Sequence, residues 1–124
     1  MEAALDIAVR SERGYVIAAV TGEIDISTVG RLRERLFELA EGGVQSLIVD
    51  LDRVTFIDSA GLGALVGTSR RAAERGGSLR AVCTQQQTRK LLWLTGVDRR
   101  IPLEASLDEA LAAASAGQDA PGQE

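Results

Sequence analysis

The sequence predicts a single α/β domain, a mixed β-sheet that opens with a hairpin and carries about four helices. Three observations predict it. Two β-branched stretches flank a turn cluster near the start, strand-like and helix-like periodicities alternate after it, and glycines or capping residues punctuate each change. The length agrees: 124 residues and 13.1 kDa give room for one sizeable core and not for two.

In chain order, "LDIAVRSERGYVIAAVTGEI" holds two alternating or β-branched runs around "SERG", the pattern of a β-hairpin. In "STVGRLRERLFELAEGG", Val29, Leu32, Leu36 and Leu39 recur at helical spacing, and Gly42 and Gly43 supply a stop. "VQSLIVDLDRV" follows. Its unbroken Leu47-Ile48-Val49 run suits a central strand covered on both faces, with Asp50 and Asp52 marking its end. A second helix is expected after "FIDSAGLG", on the pattern Leu62, Leu65, Val66, Ser69 and Ala73, closing at Gly76-Gly77. The strand "LRAVCT" precedes a third helix expected to start at Thr84, where Thr84 and Gln87 have capping-box spacing, and to run through "KLLWL" to Gly96. Proline demotes "RRIPLE" to a short or edge strand. Ser106 and Glu109 repeat the capping-box spacing ahead of a fourth helix carrying Leu107, Ala110, Leu111 and Ala114. The domain therefore spans residues 1–115. Residues 116–124, "AGQDAPGQE", lack apolar periodicity and are expected to form a frayed tail.

Composition excludes several classes of function. Net charge is −4 with a pI near 4.9, and the arginines are scattered, so binding to a nucleic-acid backbone is not expected. No apolar run approaches the ~20 residues of a membrane span, and the acidic start "MEAALD" is no signal-peptide n-region. A cytoplasmic protein with no membrane partner is the expectation. The single cysteine, Cys83, allows no internal disulfide and reads as a buried core thiol. With no histidine, the usual zinc sites are out of reach, and a serine nucleophile lacks its commonest base. Neither catalysis nor a cofactor is expected.

The chemistry concentrates in "FIDSAGLG", Phe56 to Gly63. Gly61, Gly63 and Gly67 fall in the first turns of the second helix, where an interior glycine costs up to about 1 kcal/mol relative to alanine. At helical spacing Ala60, Gly63, Ala64 and Gly67 would form a smooth strip, which is expected to be exposed because Leu62, Leu65 and Val66 already supply an inward face. Packing inside the domain is the alternative. Ser59 falls at the expected N-cap, where capping alone explains a serine. A phosphate there would be tolerated by the fold and would place roughly −1.5 to −2 charges beside Asp58 and the strip. That is the physics of a surface switch.

Other readings of these residues fail. The Gly61–Val66 run supplies two glycines of a dinucleotide fingerprint, but Val66 stands at the third. Asp50 at a strand end would suit a receiver domain, yet "RSERG" ends the first strand without an acidic pair. Trp93, in "KLLWLTGV", is expected to pack in the core, with a partner contact as the alternative. Arg70 and Arg71 are expected at a solvated helix end.

The segments "VTGEIDISTVGRLRERL" and "LIVDLDRVTFIDSAGLGALV" together resemble the anti-sigma factor antagonists, whose fold is the STAS domain. The resemblance runs from about Leu5 to Ala113. It implies a bacterial partner-switching module that, unphosphorylated, binds an anti-sigma factor with serine kinase activity and so frees a sigma factor. Phosphorylation of the serine in the D-S pair reverses this, and a serine phosphatase resets it. Ser59 matches the phosphorylated serine, Asp58 the acid before it, and Asp25 the acid closing the G-E-I-D segment, which a helix-cap role also explains. Ala60 stands where many relatives carry a second hydroxyl. The expected partner surface is Asp25, Asp58, Ser59, Ala60, Gly61, Gly63, Ala64 and Gly67. The alternative function is a STAS-type structural subunit docking constitutively on a transporter or stress-signalling scaffold, with Ser59 only a helix cap.

Overall fold

The computed structural model describes residues 5–117; the tail expected from 116 onward lies outside them beyond Gly117. Strands β1 (Leu5–Glu12) and β2 (Tyr15–Ile24) form the expected hairpin. Arg13 and Gly14 both take positive φ, 56° and 84°, the two-residue turn whose twist matches that of the flanking strands. Helix α1 (Val29–Glu41) buries Val29, Leu32, Leu36 and Ala40, one stripe at three- and four-residue spacing. Then follow β3 (Ser46–Ile57), α2 (Ser59–Glu74), β4 (Ser78–Val82), α3 (Gln86–Leu94), a short 3-10 turn (Val97–Arg99), β5 (Leu103–Glu104) and α4 (Leu107–Ser115).

The sheet order is β1-β2-β3-β4-β5, with β1 and β2 antiparallel and every later neighbour parallel. This is the mixed α/β sheet with four helices that the sequence predicts. Strand β3 lies at its centre. Leu47 and Val49 enter a large core that α1, α2 and α3 cover, while Ile48 enters a smaller one with Ile17, Val82, Ala110 and Leu111 beneath α4. Its continuous apolar run thus reflects burial on both faces. Ser106 caps α4 as its spacing suggests, the Glu109 amide donating to Ser106 Oγ at 3.0 Å, while the Glu109 carboxylate accepts from the Ala105 amide at 3.4 Å and so closes the box one residue early.

Four local expectations are corrected. Strand β3 does not stop at its acids but continues through "RVTFI", because β2 keeps pairing with it as far as Glu23 opposite Phe56 and Ile24 opposite Ile57. The box at Thr84 does not form. The Thr84 amide and hydroxyl both donate to Asp52 Oδ1, at 2.6 and 3.0 Å, and α3 begins two residues later at Gln86. Trp93 is not in the core: it is 65% exposed and its neighbour Leu94 63%, since nine-residue α3 presents only Thr88 and Leu92 fully inward. Arg71 is not merely solvated, for its guanidinium lies 3.7 Å over the Phe37 ring and pairs with Glu41 at 3.2 Å.

Cys83 is buried as expected, and desolvation pushes its thiol pKa up. Arg80, within "LRAVCT", is also fully buried, which its local pattern does not signal. Its guanidinium donates to Glu104 Oε2 and to the Ala113 carbonyl, both at 3.4 Å, tying β4 to β5 and to the last turns of α4.

Candidate functional site

Parallel pairing of β2 with β3 decides where the site lies. The two strands end side by side at Ile24 and Ile57, so the residues that follow, Asp25 and Asp58, emerge at the same edge of the sheet. A backbone bond from the Asp58 amide to the Ile24 carbonyl, 3.2 Å, joins the two exits. Asp25 thus lies close to the serine loop because the two parallel strands end together.

Each acid organises the helix entry behind it. Asp25 is only partly buried, and its Oδ1 accepts from the Ser27 hydroxyl (2.7 Å), the Ser27 amide (2.9 Å) and the Thr28 amide (3.2 Å). The Ser27 hydroxyl foremost holds its carboxyl below the usual carboxylate range; desolvation opposes this, and the Ser27 and Thr28 amides add to the lowering. Asp25 is therefore ionised at neutral pH while it shapes the turn into α1.

Asp58, not Ser59, caps α2. Its backbone is extended, and its Oδ1 accepts from the Ala60 amide at 3.0 Å and the Gly61 amide at 3.3 Å. Ser59 moves one position inward, to the first helical residue, exposed to solvent, and its hydroxyl makes no hydrogen bond among the described residues. The stability consequences separate the two. Asp58→Ala should cost about 0.5–2 kcal/mol through the lost cap, whereas Ser59→Ala should stay within about 0.5 kcal/mol of the parent. Denaturant melts of both variants check this, and equal losses would return the cap to Ser59.

The small-residue strip divides. Gly63 is exposed, with open space where a Cβ would sit, and Ala60 is half-buried. Ala64 is fully buried on the α1 side, and a Cβ on Gly67 would lie 3.1 Å from Phe37 of α1. For these two the internal-packing alternative holds, because α2 lies against α1. Gly61 has a third role. A Cβ there would come within 2.5 Å of Ile24 Cγ2 and 2.7 Å of Ile57 Cγ1, so glycine lets the first turn of α2 settle onto the paired strand ends.

Sequence reasoning missed the apolar surface beside the serine. Phe56 is 51% exposed. With Ile57, Thr88, Lys90, Leu91 and Leu94 it lines a groove of about 500 Å³ between the end of β3 and α3. The available signal was "TFID" itself, in which a strand longer than expected turns Phe56 outward. Among the described residues no helix is long and apolar enough to cross a membrane, and no group of His, Cys, Asp or Glu is placed to hold a metal.

This small sheet-and-helix domain presents an exposed serine between a capping acid and a smooth helix turn, and the STAS domain model matches residues 6–110. The chain belongs to the STAS domain family. Within it, the chain is 33% identical over 101 residues to the anti-sigma-B factor antagonist of Bacillus subtilis, covering 82% of this chain and 92% of that one. An anti-sigma factor antagonist from Mycobacterium paratuberculosis superposes with a TM-score of 0.82 at 31% identity, over 88% of this chain and 92% of that one. The Bacillus protein SpoIIAA shares the fold. Its unphosphorylated form gives a TM-score of 0.75 at 21% identity, covering 90% of this chain and 97% of that one. Its phosphorylated form gives 0.67 at 22%, covering 88% and 99%.

Proposed function

We propose that this domain is an anti-sigma factor antagonist which, unphosphorylated, binds an anti-sigma factor that is also a serine kinase, and which phosphorylation at Ser59 switches off. A serine phosphatase resets it. The observation that carries the reading is the position of Ser59: exposed at the first residue of α2, beside the cap rather than acting as it, with two ionised or ionisable acids, Asp25 and Asp58, at the same sheet edge. A hydroxyl so placed is free to be modified. Relatives named as antagonists, and a structural relative known in both phosphorylated and unphosphorylated forms, support it.

The partner surface consists of Asp25, Asp58, Ser59, Ala60 and Gly63. Gly61, Ala64 and Gly67 serve it indirectly by letting α2 sit close to the strand ends and to α1. The Phe56–Leu94 groove continues this surface from Ile57 and offers an apolar anchor site to the same partner. A phosphate on Ser59 leaves the core untouched. The Ala60 and Gly61 amides are already engaged by Asp58, so the phosphate gains little beyond the helix dipole and projects its charge outward. The domain itself catalyses nothing in this scheme; ATP belongs to the partner.

Incubation with ATP, alone and with the candidate anti-sigma kinase, followed by mass-spectrometric mapping, tests the assignment. Phosphate at Ser59 only when the kinase is present is the expected outcome. Modification elsewhere, or without the kinase, would overturn it.

A further inference from the structure

The two ends of the sheet are not alike. Strand β5 has two residues and follows Pro102, so that edge offers almost no ladder. Strand β1 is an eight-residue edge paired with β2 in an unbroken register from Leu5–Gly22 to Glu12–Tyr15, without bulge or proline. Its outer hydrogen-bonding edge faces no other strand among the described residues, although Arg31 Nη1 occupies the Leu5 carbonyl at one end, at 2.8 Å. Ile7 and Val9 are half-buried on the α1 face, while Asp6, Ala8 and Arg10 are exposed on the other. An edge of this kind is a template for another strand.

We infer that β1 pairs antiparallel with β1 of a second copy about a two-fold axis through Ala8, joining two five-stranded sheets into one. The side chains select both partner and register. Centred on Ala8, the pairing sets Asp6 opposite Arg10 of the second copy and Arg10 opposite its Asp6, two ion pairs on one face. On the other face it sets Ile7 opposite Val9 twice, extending the apolar layer beneath α1. Other antiparallel registers that keep edge-facing backbone groups opposite one another are worse. Sliding by two residues leaves Asp6 facing Ala8 or Glu12; sliding by four brings Asp6 onto Asp6 or Arg10 onto Arg10. Among the described residues the ion pair of Arg10 is with Glu12 of its own strand, 3.5 Å away and exposed, so Arg10 can turn to the second copy. Self-complementarity of this sort is what an isologous interface requires. Because Ser59 follows β3, which β2 separates from β1 in the sheet, the pairing leaves Ser59 accessible.

Sedimentation velocity on the full chain tests the pairing. The interface is small, so dissociation is expected at about 10–100 μM, with the mass doubling across that range. Asp6→Arg and Arg10→Asp should each sediment as monomers throughout, because each sets like charges opposite one another twice. Mixing the two variants in equal amounts should restore the doubled mass, and so should Asp6→Arg/Arg10→Asp in one chain. Both positions are exposed, and unchanged circular dichroism and melting will show that the variants remain folded. A parent chain monomeric up to about 1 mM overturns the inference. So does a dimer indifferent to the charge swaps, which would use another face.

Discussion

Gly61→Ala should destabilise the domain by about 1–3 kcal/mol, while Gly63→Ala, two residues along the same helix, should stabilise it by about 0.5–1 kcal/mol. Intrinsic helix propensity favours alanine equally at both positions. The difference lies in what the new methyl meets. At Gly61 it runs into Ile24 Cγ2 and Ile57 Cγ1, atoms attached directly to the Cβ of β-branched side chains. Neither is a flexible tip, and Ile24 is fully buried while Ile57 is nearly so. Relief therefore requires a rotamer change in packed isoleucine or a shift of α2 away from the strand ends. At Gly63 there is open space, and only the backbone-entropy gain remains. Thermal melts of the two variants should move in opposite directions. Shifts of the same sign would mean that α2 does not sit on β2 and β3 as described.

Gly63→Leu is expected to weaken binding to the anti-sigma factor at least tenfold, about 1.4 kcal/mol, while leaving the fold intact. The position points outward into open space one turn from Ser59, so a large side chain costs the isolated domain little. It does cost a partner that needs close approach to the first turns of α2, since the added bulk holds the two surfaces apart and leaves a gap around the serine. Ala64 and Gly67 cannot report on this surface. Substituting either disturbs the contact between α2 and α1 first, so Gly63 is the position at which binding and folding separate. A folded Gly63→Leu protein with parental affinity would remove this turn from the interface.

Much of this arrangement is legible in the sequence because single residues carry it. The unbroken apolar run at Leu47-Ile48-Val49 requires cover on both sheet faces, and Ser106 with Glu109 specifies the entry to α4. The D-S pair marks the candidate site. What was not legible depends on contacts between distant segments. By local rules Thr84 is a capping residue for α3, but it is claimed by Asp52 more than thirty residues away, leaving its box unformed. Asp58 takes the cap because β3 runs on to Ile57 and delivers it, not Ser59, to the helix start. A strip of small residues gives no indication of which side a neighbouring helix will occupy, and α1 took Ala64 and Gly67. Trp93 and Leu94 follow the same logic in reverse. In a nine-residue helix, one inward stripe at Thr88 and Leu92 suffices, and adjacent large apolar residues are left outside.

In the proposed function, charge at Ser59 controls partner binding without altering the domain. Asp25 is already negative at the edge it shares with Asp58, and a phosphate buried under a partner would add charge with no new amide donors to receive it. Like charges brought together in an interface cost several kcal/mol. The most direct measurement is calorimetric titration of the anti-sigma factor with unphosphorylated protein and with protein phosphorylated at Ser59, paired with thermal melts of both. A fall in affinity of about a hundredfold or more, some 2.7 kcal/mol, with melting temperatures within about 3 °C of each other, is the predicted result. Equal affinities, or a loss of binding that accompanies unfolding of the phosphorylated domain, would contradict it.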